Sequence, residues 1–66
     1  MDDLVDVEVV NEGNIYLFNL LTASAKQWVH ANVEDPQFWG KYALVVSHQF
    51  VGEVAAGMIQ DGLTIH

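Results

Sequence analysis

Sixty-six residues with no cysteine, nine acids, two lysines and no arginine describe one small domain without disulfides and with a formal net charge of −7. That charge repels nucleic acid and anionic membrane, so neither is expected as a direct partner. A hydrophobic content of 52% excludes wholesale disorder, and no apolar run approaches the ~20 residues of a membrane span.

A chain this short buries only about 60% of the surface its unfolded form exposes. Its stability is expected to be marginal, and oligomerisation is a usual remedy. Met1, Asp2 and Asp3 are the opposite of a signal peptide's basic start. With no Cys to suggest an oxidising compartment, the expected location is cytoplasmic.

Residues 1–4 are expected to fray. Val5, Val7 and Val9 then alternate with Asp6 and Glu8, the pattern of a half-buried strand with one acidic face. Asn11-Glu12-Gly13-Asn14 is turn chemistry, since Gly and Asn accept positive φ. Ile15 to Leu21 reads as the returning strand of a hairpin. Thr22 is placed to start a helix carrying Ala25, Trp28, Val29 and Val33 at helical spacing, with Trp28 as its expected core anchor. Pro36 disfavours helix in the residue before it, so Asn32 to Pro36 ends that element. Residues 37–41 are expected to form a loop.

Ala43 to Val46 is a continuous apolar run suited to a buried strand. Ser47 or His48 is expected to begin the next helix. Its stripe is Phe50, Val51, Val54, Ala55, Met58 and Ile59. Gly62 is placed as a left-handed stop with Leu63 folding back onto the helix, and Leu63 to Ile65 reads as a closing strand. The fold expected over residues 1–66 is therefore a single α+β domain. It is a small two-layer sandwich in the order β-β-α-β-α-β, with a mixed sheet and both helices on one face. The hairpin would be followed by two crossover units.

The segments GNIYLFNLLTASAKQWVHANV and FWGKYALVVSHQFVGEVAAGMIQDGLTI resemble a group of short bacterial and phage or prophage proteins. These share a Gly-x-Ile strand, a Thr-started helix containing Trp, and a strand–helix unit ending in Asp-Gly-Leu. The resemblance covers Gly13 to Ile65, and its motifs are turns, caps and stops. It implies a prokaryotic or mobile-element origin and no shared activity, so no functional residue carries over. Where that group has a basic residue after the central His, this chain has Gln49.

The residues give little support for catalysis. His30, His48 and His66 lack zinc spacing. Ser47 beside His48 is adjacency, not a dyad. No glycine-rich phosphate loop exists, and so small a domain is not expected to enclose a substrate pocket of several hundred cubic ångströms. No catalytic, metal-binding or cofactor-binding residue is expected, and no cofactor.

Two groups are candidates for binding a partner. Asp2, Asp3, Asp6, Glu8 and Glu12 crowd the first twelve residues, and Asp6 and Glu8 would lie ~6.6 Å apart on one strand face. That is similar to the spacing of successive phosphates, so this group suits imitation of a nucleic-acid backbone. Glu34, Asp35 and Trp39 form a second patch. Phe38 and Trp39 are neighbours, so one is expected over the core and the other exposed as an interface anchor. The reading is a small acidic, non-enzymatic binding module that occupies the basic, nucleic-acid-binding surface of another protein. Its most concrete version is a phage-type inhibitor of a host or defence complex. The alternative is a self-associating homodimeric module that uses the open sheet face or the Gly52/Ala56 helix surface.

Overall fold

The computed structural model describes residues 4–66. It has the order β1 (Val7–Asn11), β2 (Ile15–Leu20), α1 (Ala23–Asn32), β3 (Phe38–Trp39), β4 (Ala43–Ser47) and α2 (Val51–Gln60). The four strands form one sheet in the order β1-β2-β4-β3, every pair antiparallel. The α+β class agrees with the sequence reading and the order of elements does so roughly, but the four strands pair antiparallel throughout instead of forming a mixed sheet, and the expected closing strand is one parallel bridge.

The hairpin forms as its turn chemistry dictates. Gly13 takes φ 93° at the first central position of the turn, where a II′-type loop needs positive φ. Its amide donates to Asn11 Oδ1 at 2.8 Å. The resulting register puts Val7 opposite Leu20 and Val9 opposite Phe18. β2 in turn sets Phe18 against Leu44 and Tyr16 against Val46. Side chains alternate between faces along a strand, so these residues share one face. Ala25 and Val29 of α1 and Met58 of α2 pack on it in a single cluster. Both helices therefore cover the same side.

The first crossover differs in detail from the expectation. β2 does not continue through α1 to a parallel Ala43–Ser47. The chain instead enters β3, two residues inside the segment expected to be a loop, at the far edge of the sheet beyond β4. A tight turn with Gly40 at φ 73° then folds β4 back into the gap between β2 and β3. The second crossover closes as a single parallel bridge, Val7 to Ile65. The His66 amide donates to the Val7 carbonyl at 3.0 Å, and the Val9 amide donates to the His66 carbonyl at 2.8 Å.

The helix ends show where local signals held. Thr22 caps α1, its hydroxyl oxygen accepting from the Ala25 amide at 3.2 Å. Gly62 at φ 94° ends α2, with its amide donating to the Ile59 carbonyl at 3.0 Å and that of Leu63 to Met58 at 2.9 Å. This is the paired closure of a Schellman stop. The start of α2 is different: its cap is Phe50, without a side-chain bond, because Ser47 to Phe50 form a turn. Ser47 Oγ accepts from the Gln49 amide at 3.4 Å, and the Ser47 carbonyl accepts from Phe50.

Trp28 is not the buried anchor of α1. Ala25 and Val29 are. The indole instead bridges the helices. A Cβ on Gly57 would meet its Cζ2 at 3.1 Å, and its Nε1–H donates to Asp61 Oδ2 at 2.6 Å. That bond accounts for an acid at the C-terminal end of α2, where the helix dipole disfavours it. It also separates the two helical glycines. Around Gly52 a Cβ would meet nothing within 4 Å. Gly52→Ala should raise stability by about 0.5–1 kcal/mol, the usual gain in a helix interior. Gly57→Ala should lose that gain against the indole. Urea midpoints of the two variants beside the wild type check the contrast.

Candidate functional site

The acids expected to meet a partner fall into three different situations. Asp2 and Asp3 lie outside the described residues. Asp6 is half-buried and its carboxylate already has internal partners, so its first role is in the fold. Its Oδ1 accepts from the Thr22 hydroxyl at 2.6 Å and its Oδ2 from the Thr64 amide at 2.9 Å. Its own amide donates to the Thr64 carbonyl at 2.9 Å. The Thr22 bond first, and then the Thr64 bond, hold this carboxyl below the usual Asp range, against a smaller opposing effect of burial. Asp6 thus ties β1, the α1 cap and the closing segment together. Glu8 and Glu12 are exposed, so of the described N-terminal acids these two are open to a partner. Of the phosphate-like pair of Asp6 and Glu8, Glu8 is the exposed member.

The second patch also divides. Glu34 and Asp35 line an open groove of about 860 Å³, together with Val33, Pro36 and Gln37 of the same loop and Asn32 at the end of α1. β4 supplies the floor through Leu44, Val45, Val46 and Ser47, and the opposite wall is Phe50, Glu53 and Val54. Asp35 has φ 57°, the left-handed region that Asp enters more readily than most residues. Trp39 does not line the groove. Paired with Ala43, it projects from the sheet face away from the helices and is 59% exposed. Its neighbour Phe38 points to the helix side but remains 41% exposed, with its ring 6.5 Å from that of His30. Both aromatics therefore reach solvent, where one was expected to be covered.

The expectation that a chain this small holds no pocket of several hundred cubic ångströms is corrected in size but not in kind. The space is large, yet it is an open groove. Two of its lining residues escaped the sequence reading. Phe50 was assigned to the core stripe of α2, but it caps the helix and is 53% exposed. Glu53 lies outside the apolar stripe and carries no sequence signal of a site. It stands in the first turn of α2, favourably oriented toward the helix dipole. The available signal was the pair of uncommitted polar residues His48-Gln49, which push the helix start two residues along.

The sheet face away from the helices carries Val10, Ile15, Leu17 and Val45, all half-buried, and no other element among the described residues covers it. Glu8 is the acid on this face. On α2, Gly52 and Ala56 are exposed. Among the described residues no group of three or more His, Asp or Glu is placed to hold a metal ion, and no helix is long and apolar enough to cross a membrane. Comparison with protein-family models, with curated proteins and with solved structures finds no match.

Proposed function

We propose that this chain is a small acidic binding module that occupies the basic surface of another protein, in the cytoplasm of a bacterial or phage-infected cell. The observation that carries this reading is the uncompensated charge: nine acids against two lysines. One of the lysines, Lys26, holds its ammonium 4.0 Å from the centre of the Tyr42 ring. Among the described residues, the acids with internal side-chain partners use neutral ones, Thr22 and Thr64 for Asp6 and the indole for Asp61. Neutral donors favour the ionised carboxylate without cancelling its charge, so the negative field extends into solvent. Such a field speeds encounter with a cationic surface and makes binding sensitive to salt. A nucleic-acid-binding protein of a host or defence complex offers such a surface, and the most concrete form of this reading is a phage-type inhibitor of one.

The test is retention of lysate proteins on the immobilised chain, with duplex DNA as competitor. Nucleic-acid-binding proteins should be retained by the wild type, displaced by DNA and by moderate salt, and lost from a Glu8→Lys/Glu12→Lys/Glu34→Lys variant. Equal retention by wild type and variant would end the reading. Asp6 is left unchanged, since altering it disturbs the fold.

A second reading rests on the uncovered sheet face. Val10, Ile15, Leu17, Val45 and Trp39 present apolar surface with one acid beside them, so two copies can meet there without opposing their charges. Sedimentation should then show a dimer insensitive to salt and abolished by Leu17→Lys. A monomer at micromolar concentration removes this reading.

A further inference from the structure

The geometry points to the groove between the α1–β3 loop and the start of α2 as a docking site for a cationic, amphipathic peptide segment of the partner protein. This inference rests on the proposed acidic module and gives it a location. Three carboxylates stand around the groove, Glu34 and Asp35 on the loop and Glu53 on α2, and no Lys, Arg or His lines it. Between them lie Val33, Pro36, Leu44, Val46, Phe50 and Val54. An apolar floor between acidic rims selects a ligand that alternates aliphatic and basic side chains. The apolar residues remove surface from water, while the charges at the rim fix register and speed encounter.

The groove offers little strand edge. The Gln37 carbonyl takes the Val45 amide at 2.8 Å, Val46 pairs with Tyr16 of β2, and the Ser47 carbonyl accepts from the Phe50 amide at 2.9 Å. The ligand is therefore held by the apolar floor and the acidic rims rather than by strand addition. Other occupants fit less well. A second copy brings only two lysines, with Lys26 engaged on Tyr42. Nucleic acid meets three carboxylates. The acids do not converge as a metal-binding group.

The experiment is an amide NMR titration of the full chain with three synthetic heptapeptides, alternating Lys-Val, Lys-Ser and Glu-Val. The Lys-Val peptide should shift residues 33–37, 45–47 and 50–54, and should bind about tenfold more tightly than Lys-Ser, which matches its charge but not its apolar face. Glu34→Lys/Glu53→Lys should weaken Lys-Val binding about tenfold, while Glu8→Lys/Glu12→Lys changes it less than about twofold. Retained amide dispersion shows that each variant is folded. Lys-Val binding that shifts mainly residues around Glu8 and Glu12, or that equals Lys-Ser binding, overturns the groove and leaves the acidic module standing. Failure of both cationic peptides to bind overturns both. Binding of Glu-Val at comparable strength overturns the charge argument for the groove.

Discussion

Replacing Met58 with alanine should unfold this protein, or leave α2 detached from the sheet, at room temperature. Met58 is fully buried, and it is the only fully buried residue of α2. The rest of the expected stripe does less: Val51, Val54 and Ala55 are half-buried, and Ile59 is 60% exposed. Truncating a buried Met to Ala costs about 2–5 kcal/mol through lost transfer energy and the cavity left behind. At about 0.05–0.15 kcal/mol per residue, a chain of this size has only about 3–10 kcal/mol in total. The loss is therefore a large share of what holds the domain together. Its local consequence is predictable as well. Phe50, Glu53 and Val54 form one wall of the groove, so a loosened α2 removes that wall while the β1–β2 hairpin persists. Hydrogen exchange should show α2 amides losing protection first. Full protection of α2 in Met58→Ala would mean that the helix is held by Trp28 and the Schellman stop instead.

Asp6→Ala should cost about 1.5–3 kcal/mol, the range for hydrogen bonds to a charged group, and the cost should depend on pH. The folded carboxyl titrates below its unfolded value because of Thr22 and Thr64. A group with a depressed folded pKa stabilises the fold above its unfolded pKa of about 4. That contribution disappears as pH falls through the lower, folded value. The gap in urea midpoint between wild type and Asp6→Ala should therefore be constant above about pH 5 and shrink below about pH 4. A gap that stays constant to pH 2 would mean that the two hydrogen bonds do not favour the ionised form. Thr22→Val should reproduce much of the effect, because it removes both the donor to Oδ1 and the helix cap. Thr22→Ser should keep most of the stability.

These two residues also mark what the sequence could and could not convey. Period-two alternation placed the hairpin, and helical spacing placed α1, Met58 and the Gly62 stop. Each of these is a local signal read within one turn or one pleat. The misplaced residues depend on contacts distant in sequence. Asp6 looked like one of five solvated acids because its partners are 16 and 58 residues away. Nothing local to Gly57 announces Trp28 of the other helix, which lies against it. β3 is too short for any periodicity to reveal, and by pairing antiparallel with β4 it replaces the expected parallel connection from β2 to Ala43–Ser47. Phe50 and Glu53 were separated by an apolar pattern that starts one residue before the helix does. Glu34 and Asp35 were singled out as charge alone, and only folding placed them opposite Glu53.

The contact between Asp6 and Thr64 has a consequence in time. Synthesis delivers the hairpin and α1 long before residues 64–66, which complete the hydrogen bonding of Asp6 and cover the outer edge of β1. Through that interval the growing chain exposes a bare strand edge and an unfinished cap. Closure of the outer edge of β1, unlike its pairing with β2, must then be among the last events of folding. A chain shortened by its final three residues should pass through life in that unfinished condition, prone to pair edge to edge with its own copies.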